Sequence, residues 1–266
     1  MKKIGFIGAG NMGGALAKAV CAAGFSEYVY ICEKNKEKAQ KVCTELGVKS
    51  IELSSLIHEC DIIFLGVKPQ FITDTVGDVV KHLENRKDKL FVSMAAGVAI
   101  NKLESIPGFS CPIIRIMPNT PVGVGEGMIL ACENDMVTED MHDAFCRIMA
   151  SAGELDFIDE KLIDAASAVS GCGPAFVYIF IEALADGGVK CGLSRESSLK
   201  YAIRTVLGAS KLAAESGKHP EQLKDDVCSP AGSTIEGVAL LEKGAFRSSV
   251  IEAVSASFKR TKELGK

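Results

Sequence analysis

The chain has 266 residues, 47% hydrophobic and 24% charged, which is ordinary globular material for one or two domains with a sizeable core. A net charge of -4 and a pI near 5.7 argue against a nucleic-acid partner or an anionic membrane surface, since either wants a basic face. Ten scattered cysteines, with no C-x-x-C pair and no secretory pattern at the N-terminus, read as reduced, mostly buried small hydrophobes of a cytoplasmic protein.

The first predicted strand, Lys3 to Ile7, runs directly into Gly8-Ala9-Gly10-Asn11-Met12-Gly13, and an alanine-rich helical segment follows from Gly14 to Ala23. That order predicts a docked dinucleotide. Gly8 allows the tight strand-to-helix turn, Gly10 clears the backbone for a pyrophosphate, and Gly13 lets the helix pack on its strand. The helix start then faces the phosphates with unpaired N–H groups.

Tyr28 to Cys32 is a second strand, followed by a Lys/Glu-rich helix from about Asn35 to Leu46. Between them Glu33 stands where an acidic side chain accepts bonds from the adenosine ribose hydroxyls, which points to NADH. Lys34, Asn35 and Lys36 follow at once and suit the 2′-phosphate of NADPH, so the cofactor stays open between the two. Asp61 to Val67 and Leu90 to Met94 are continuous apolar runs around a helical pattern at Phe71 to Leu83, as expected of strands covered on both faces. Gly66-Val67-Lys68-Pro69 and Ala95-Ala96-Gly97 end these strands at the carboxyl edge, where open α/β sheets bind ligands.

Pro112 to Ile116 supplies a further strand, and the stiff loop Met117-Pro118-Asn119-Thr120-Pro121 after it holds polar groups beside the nicotinamide. Short strands at Gly127 to Ala131 and Glu154 to Ile158 flank a helix at Glu139 to Ala150. Alternating β and α with short connections predicts a Rossmann-type doubly wound parallel sheet over residues 1–159.

From Glu160 to the C-terminus the pattern is all-helical, which predicts a second domain over residues 160–266. Its helices are expected at Leu162 to Val169, Pro174 to Val189, Ser194 to Glu215, Pro220 to Val227, Ser233 to Glu242 and Phe246 to Leu264. Ser194 reads as an N-cap, Pro220 as a first helical residue, and Gly217 and Gly244 as C-caps. The Pro174 helix is apolar nearly all round, so it should be buried, and in so small a domain that burial calls for a second subunit. Its apolar core, Ala175 to Ala185, contains Glu182 and is too short to span a bilayer.

Two small-residue segments each open a helix: Ser170-Gly171-Cys172-Gly173-Pro174, and Cys228-Ser229-Pro230-Ala231-Gly232-Ser233-Thr234-Ile235-Glu236-Gly237. In the second, Ser233 and Glu236 have the spacing of a capping box, and the amides of Gly232, Ser233 and Thr234 cluster as a seat for a carboxylate. His58, His82, His142 and His219 show no metal-ligand spacing, and no paired carboxylates or Ser/His/Asp set stands out. Reduction of a C=N bond fits this inventory: an imine protonates far more readily than a ketone, so the enzyme has chiefly to align it with a hydride donor.

Together these residues resemble the Δ1-pyrroline-5-carboxylate reductase family across essentially the whole chain. The resemblance is carried by Gly5 to Gly13, Val67-Lys68-Pro69, Ala95 to Val98, Arg115 to Pro121, Ser170 to Pro174, Phe180 to Ala183, His219-Pro220, and above all Leu223 through Glu236. It implies that Ile7, Gly8, Ala9, Gly10, Asn11 and Met12, with Gly66 to Pro69 and Ala95 to Gly97, bind NADPH or NADH. Ser233 and Thr234 would hold the substrate carboxylate and ring nitrogen, with Thr234 as proton donor unless the nitrogen arrives protonated. The fold implied is a helical domain interlocked in a homodimer or larger homo-oligomer, with a cyclic imino acid as substrate. Glu33, Cys172, Asp226, Ala231 and Ser233 depart from the family's usual residues, and the charge of Asp226 is unfavourable beside a cofactor. The alternatives are a β-hydroxyacid dehydrogenase, whose usual lysine and asparagine Ala175 to Glu182 lacks, and a non-catalytic NAD(P) sensor, which has no need of a carboxylate cradle.

Overall fold

The computed structural model describes residues 1–83 and 88–264. The chain divides into two compact units: Met1–Cys172 together with the chain from Ser257 onward, and Gly173–Ala256.

The first unit is built on an eight-stranded sheet. Its strands are β1 (Ile4–Ile7), β2 (Val29–Cys32), β3 (Lys49–Ser50), β4 (Ile62–Leu65), β5 (Leu90–Ser93), β6 (Ile113–Pro118), β7 (Gly127–Glu133) and β8 (Gly153–Phe157), in the order β3-β2-β1-β4-β5-β6-β7-β8. The first six are parallel, as a doubly wound sheet requires. The last two reverse: β7 pairs antiparallel with β6, Pro118 opposite Ile129, and β8 runs parallel to β7. A parallel return needs a crossover of about a dozen residues or more. The tight Thr120–Val124 turn, closed by Gly125 at φ +78°, is too short for one.

Helices α1 (Asn11–Val20), α2 (Lys36–Leu46), α3 (Leu53–Glu59), α4 (Ile72–Val80), α5 (Ile100–Glu104), α6 (Glu139–Met149) and α7 (Glu160–Ser170) complete the unit. Because successive side chains of a strand point to opposite faces, the apolar runs feed two cores. Phe6, Phe64, Val92 and Ile114 pack with α1 and α6 on one side. Ile63, Phe91 and Ile113 pack with α3 and α4 on the other. Phe6 and Phe64 stack with centroids 4.5 Å apart. The two-residue β3 and the short helices α3 and α5 carry too little periodicity to be read from sequence.

Arg115 on β6 is buried, 3% exposed, and its guanidinium reaches Glu160 Oε1 at 3.1 Å and Asp164 Oδ1 at 2.9 Å on α7. Glu160 Oε1 also accepts the Ile100 amide at 2.7 Å. These bonds tie α5 and α7 to the sheet. Removing both carboxylates would strand the buried Arg115 charge, whereas Glu160 and Asp164 are themselves partly open to water.

The second unit contains α8 (Gly173–Lys190), α9 (Arg195–Ser216), α10 (Pro220–Val227) and α11 (Ser233–Lys243), and α12 (Phe246–Leu264) begins in it. The Ser194 side chain caps α9 by accepting from the Ser197 amide, Gly217 ends that helix at φ +64°, and Pro220 opens α10. The expected burial of α8 is not met within one chain. Only Ala185 is buried, while Tyr178 and Ile179 are 59% and 67% exposed. Within the run Glu160–Lys190, through α7 and α8, an 18-residue stretch reaches a mean hydropathy of 1.6, enough by length and composition to cross a membrane, which the Ala175 to Ala185 stretch taken alone does not reveal.

Candidate active site

The turn from β1 into α1 is shaped by what its glycines leave out. Gly8 has φ +90°, and a Cβ there would lie 2.7 Å from the Gly66 carbonyl oxygen. At Gly13 a Cβ would overlap the Gly8 carbonyl oxygen. Gly10 differs: the nearest atom to its Cβ position is Lys38 Nζ at 3.9 Å, so the space beside it is open. Gly10 is also the N-cap of α1 and offers no side-chain cap bond, which leaves the first-turn amides of Asn11, Met12 and Gly13 for an incoming anion. A pyrophosphate fits this cradle. The cleft beside it, about 500 Å³, is lined by Gly10, Lys18, Lys38 and Lys41. A larger cleft of about 790 Å³ carries Glu104, Glu133, Asp135 and Glu160, and its carboxylates would repel a dinucleotide.

Ile7, Gly8 and Ala9 end β1, Glu33 and Lys34 follow β2, Gly66 to Pro69 follow β4, and Ala95 to Gly97 follow β5. Since these strands are parallel neighbours, all four groups gather at one edge of the sheet. Ala95 is buried, and Gly97 turns the chain at φ +72°. Lys68 is exposed.

Glu33 Oε2 accepts the Ala9 amide at 3.0 Å and faces Lys38 Nζ at 3.5 Å, while Oε1 accepts the Asn35 amide at 3.1 Å. Partial burial pushes this carboxyl up, but the amides of Asn35 and Ala9 and the Lys38 ammonium outweigh it and hold the group below the usual carboxylate range. Asn35 is the N-cap of α2, its side chain accepting the Lys38 amide at 2.9 Å. Lys38 reaches the glycine loop from inside α2. Sequence spacing did not mark it, since nothing distinguishes it from the other lysines of that helix.

Asn119, 8% exposed, accepts the Met128 amide at 3.0 Å and donates from Nδ2 to the Ser170 carbonyl oxygen at 3.0 Å. Its amide thus joins the end of β6 to the end of α7. Ser170 donates its hydroxyl to the Ala166 carbonyl at 3.2 Å, and the Gly171 amide donates to the Ser167 carbonyl at 2.8 Å.

Gly232, Ser233 and Thr234 open α11 in the second unit, but the expected capping box is not formed. The N-cap is Gly232, with no side-chain cap bond, and Ser233 lies one residue inside the helix. The cause is the turn before it: Ala231 adopts φ +56°, and the Gly232 amide donates to the Ser229 carbonyl at 3.0 Å. This slip leaves the first-turn amides of α11 uncapped by any hydroxyl, and Ser233 and Thr234 both exposed. The charge of Asp226 is met by Lys218 at 2.8 Å.

The chain matches the family described as pyrroline-5-carboxylate reductase dimerisation over residues 160–264, and the family described as NADP oxidoreductase, coenzyme F420-dependent, over residues 3–97. It is 41% identical to a pyrroline-5-carboxylate reductase of Arabidopsis thaliana, covering 98% of this chain and 95% of the relative. It is 39% identical to that of Escherichia coli, covering 100% and 99%. The crystal structure of a Plasmodium falciparum pyrroline carboxylate reductase with NADP bound superposes with a TM-score of 0.90 at 36% identity, covering 100% of this chain and 98% of that one. Likeness of this degree over the full length, on top of the glycine cradle and the segment that opens α11, places the chain in the pyrroline-5-carboxylate reductase family.

Proposed function

We propose that the chain reduces the C=N bond of Δ1-pyrroline-5-carboxylate with NADPH or NADH to give L-proline, the last step of proline biosynthesis. The observation that carries this reading is a single chain that joins the glycine cradle of β1 and α1 to the Ser229–Glu236 segment, within a similarity to reductases spanning 98% of its length.

When bound, the dinucleotide supplies the hydride. Ile7 to Gly13 hold its pyrophosphate, Glu33, Lys34 and Asn35 its adenosine end, and Gly66 to Pro69 with Ala95 to Gly97 keep its nicotinamide half against the strand ends. Asn119 stiffens the loop on the nicotinamide side. The amides of Gly232, Ser233 and Thr234 are assigned to the substrate carboxylate, and Ser170 and Gly171 are assigned to substrate binding. The Thr234 hydroxyl is assigned to the ring nitrogen, as the donor of a hydrogen bond or proton to it. No strong base is needed, because a cyclic imine is basic enough to be protonated near neutral pH, and positioning does most of the work.

Functionally we divide the chain at residues 1–159 for the cofactor and 160–266 for substrate and assembly. The bare apolar face of α8 is read as a homodimer interface, open to further assembly, rather than a membrane span. The reading is of a soluble cytoplasmic enzyme that takes no nucleic acid. The test is loss of NADPH or NADH absorbance on adding Δ1-pyrroline-5-carboxylate, with proline as product. A chain that binds the dinucleotide yet leaves that absorbance unchanged would refute it.

A further inference from the structure

The end of β2 bears on a question the residue types alone leave open. Glu33 is held from three directions, by the amides of Ala9 and Asn35 and by the Lys38 ammonium, and its side chain is only 13% exposed. An ionised carboxylate has about four acceptor positions, so room remains for a hydroxyl donor. A ribose diol is such a donor. A 2′-phosphate would instead bring a charge of about -1.5 to -2 against the fixed carboxylate.

Glu33 also disarms the groups that would otherwise receive that phosphate. The Asn35 amide is spent on Oε1, and the Lys38 ammonium faces Oε2. The Lys38 amide is taken by the Asn35 side chain. Lys34 and Lys36 are exposed, and a surface ammonium contributes little to an ion pair in water.

We propose that Glu33 sets the nucleotide preference of this chain to NADH over NADPH, by accepting the adenosine ribose hydroxyls and by keeping the Asn35 amide and the Lys38 ammonium from a 2′-phosphate. This rests on the reading of the chain as a dinucleotide-dependent reductase, and it goes further by naming the dinucleotide and the residue that selects it.

The experiment is equilibrium titration of the purified full chain with NADH and with NADPH, followed by nicotinamide fluorescence and by calorimetry, without imine. The wild-type chain should bind NADH at least about tenfold tighter, the scale of one charge-assisted hydrogen bond. Glu33→Ser should reverse the order by freeing Lys38, and Lys38→Met added to it should abolish the gain for NADPH. Glu33→Gln keeps the shape and the acceptor for Ala9 without the charge. It guards against a loosened glycine loop, and its preference should fall toward parity. Wild-type binding of NADPH equal to or tighter than NADH, or a ratio unchanged in both Glu33 variants, overturns the proposal. Failure of either nucleotide to bind refutes the reductase reading itself, which is a separate result.

Discussion

The Asn119 side-chain amide bridges two backbones, accepting from Met128 at 3.0 Å and donating to the Ser170 carbonyl at 3.0 Å. Asn119→Ala leaves both backbone groups without their partner in a nearly dry place. The expected loss is about 1–3 kcal/mol, read as a lower urea midpoint with an unchanged m-value. If Asn119 instead served the cofactor alone, the midpoint would stay and only dinucleotide affinity would drop.

Gly10 and Gly13 should respond differently to the same added methyl. At Gly10 the Cβ position is open, so Gly10→Ala should keep the melting temperature and weaken dinucleotide binding by about tenfold or more. At Gly13 the methyl meets the Gly8 carbonyl oxygen, so Gly13→Ala should lower both. Thermal melts and fluorescence titration of the two variants separate steric exclusion of the ligand from damage to the turn.

Thr234→Ala should lower the rate of imine reduction by about 10- to 100-fold, near the low end for a positioned proton donor, and leave dinucleotide affinity within error. Thr234→Ser should recover most of the rate. Steady-state kinetics beside a cofactor titration decides it. An unchanged rate removes Thr234 from the mechanism.

Cys60 and Cys132 are buried, and burial above all other influences pushes each thiol up to about 12. The raised value gives the sign. The folded chain keeps both protons after the unfolded chain has lost them, so their contribution is complete below the ordinary value of 9.0 and disappears as pH rises through about 12. Urea midpoints should therefore decline across that interval, and less steeply in the Cys60→Ala, Cys132→Ala double variant. At pH 8 neither thiol should be alkylated until the chain is unfolded.

Most of the α/β architecture could be read from residue order, because two-sided burial leaves continuous apolar runs such as Ile62 to Leu65 and the glycine turn has few other uses. The helices from Leu162 onward were legible for a different reason: Ser194, Gly217 and Pro220 punctuate them with local chemistry. What escaped depends on distance or on a single residue of register. The reversal of β7 follows from the length of a connection. α11 begins at Ser233 as expected, but its N-cap is Gly232 and not Ser233, because Ala231 takes a left-handed conformation that no neighbouring residue type announces. The bonds from Arg115 to Glu160 and Asp164 span 45 and 49 positions, and only the folded sheet brings those charges together.

The bare side of α8 has a thermodynamic consequence. On the homodimer reading proposed above, a helix that leaves Tyr178 and Ile179 open in the lone chain gains stability from the copy that covers them, in proportion to the logarithm of how much is present. Heat resistance should then climb as the protein is concentrated, and dilution by itself should become a way of switching the enzyme off.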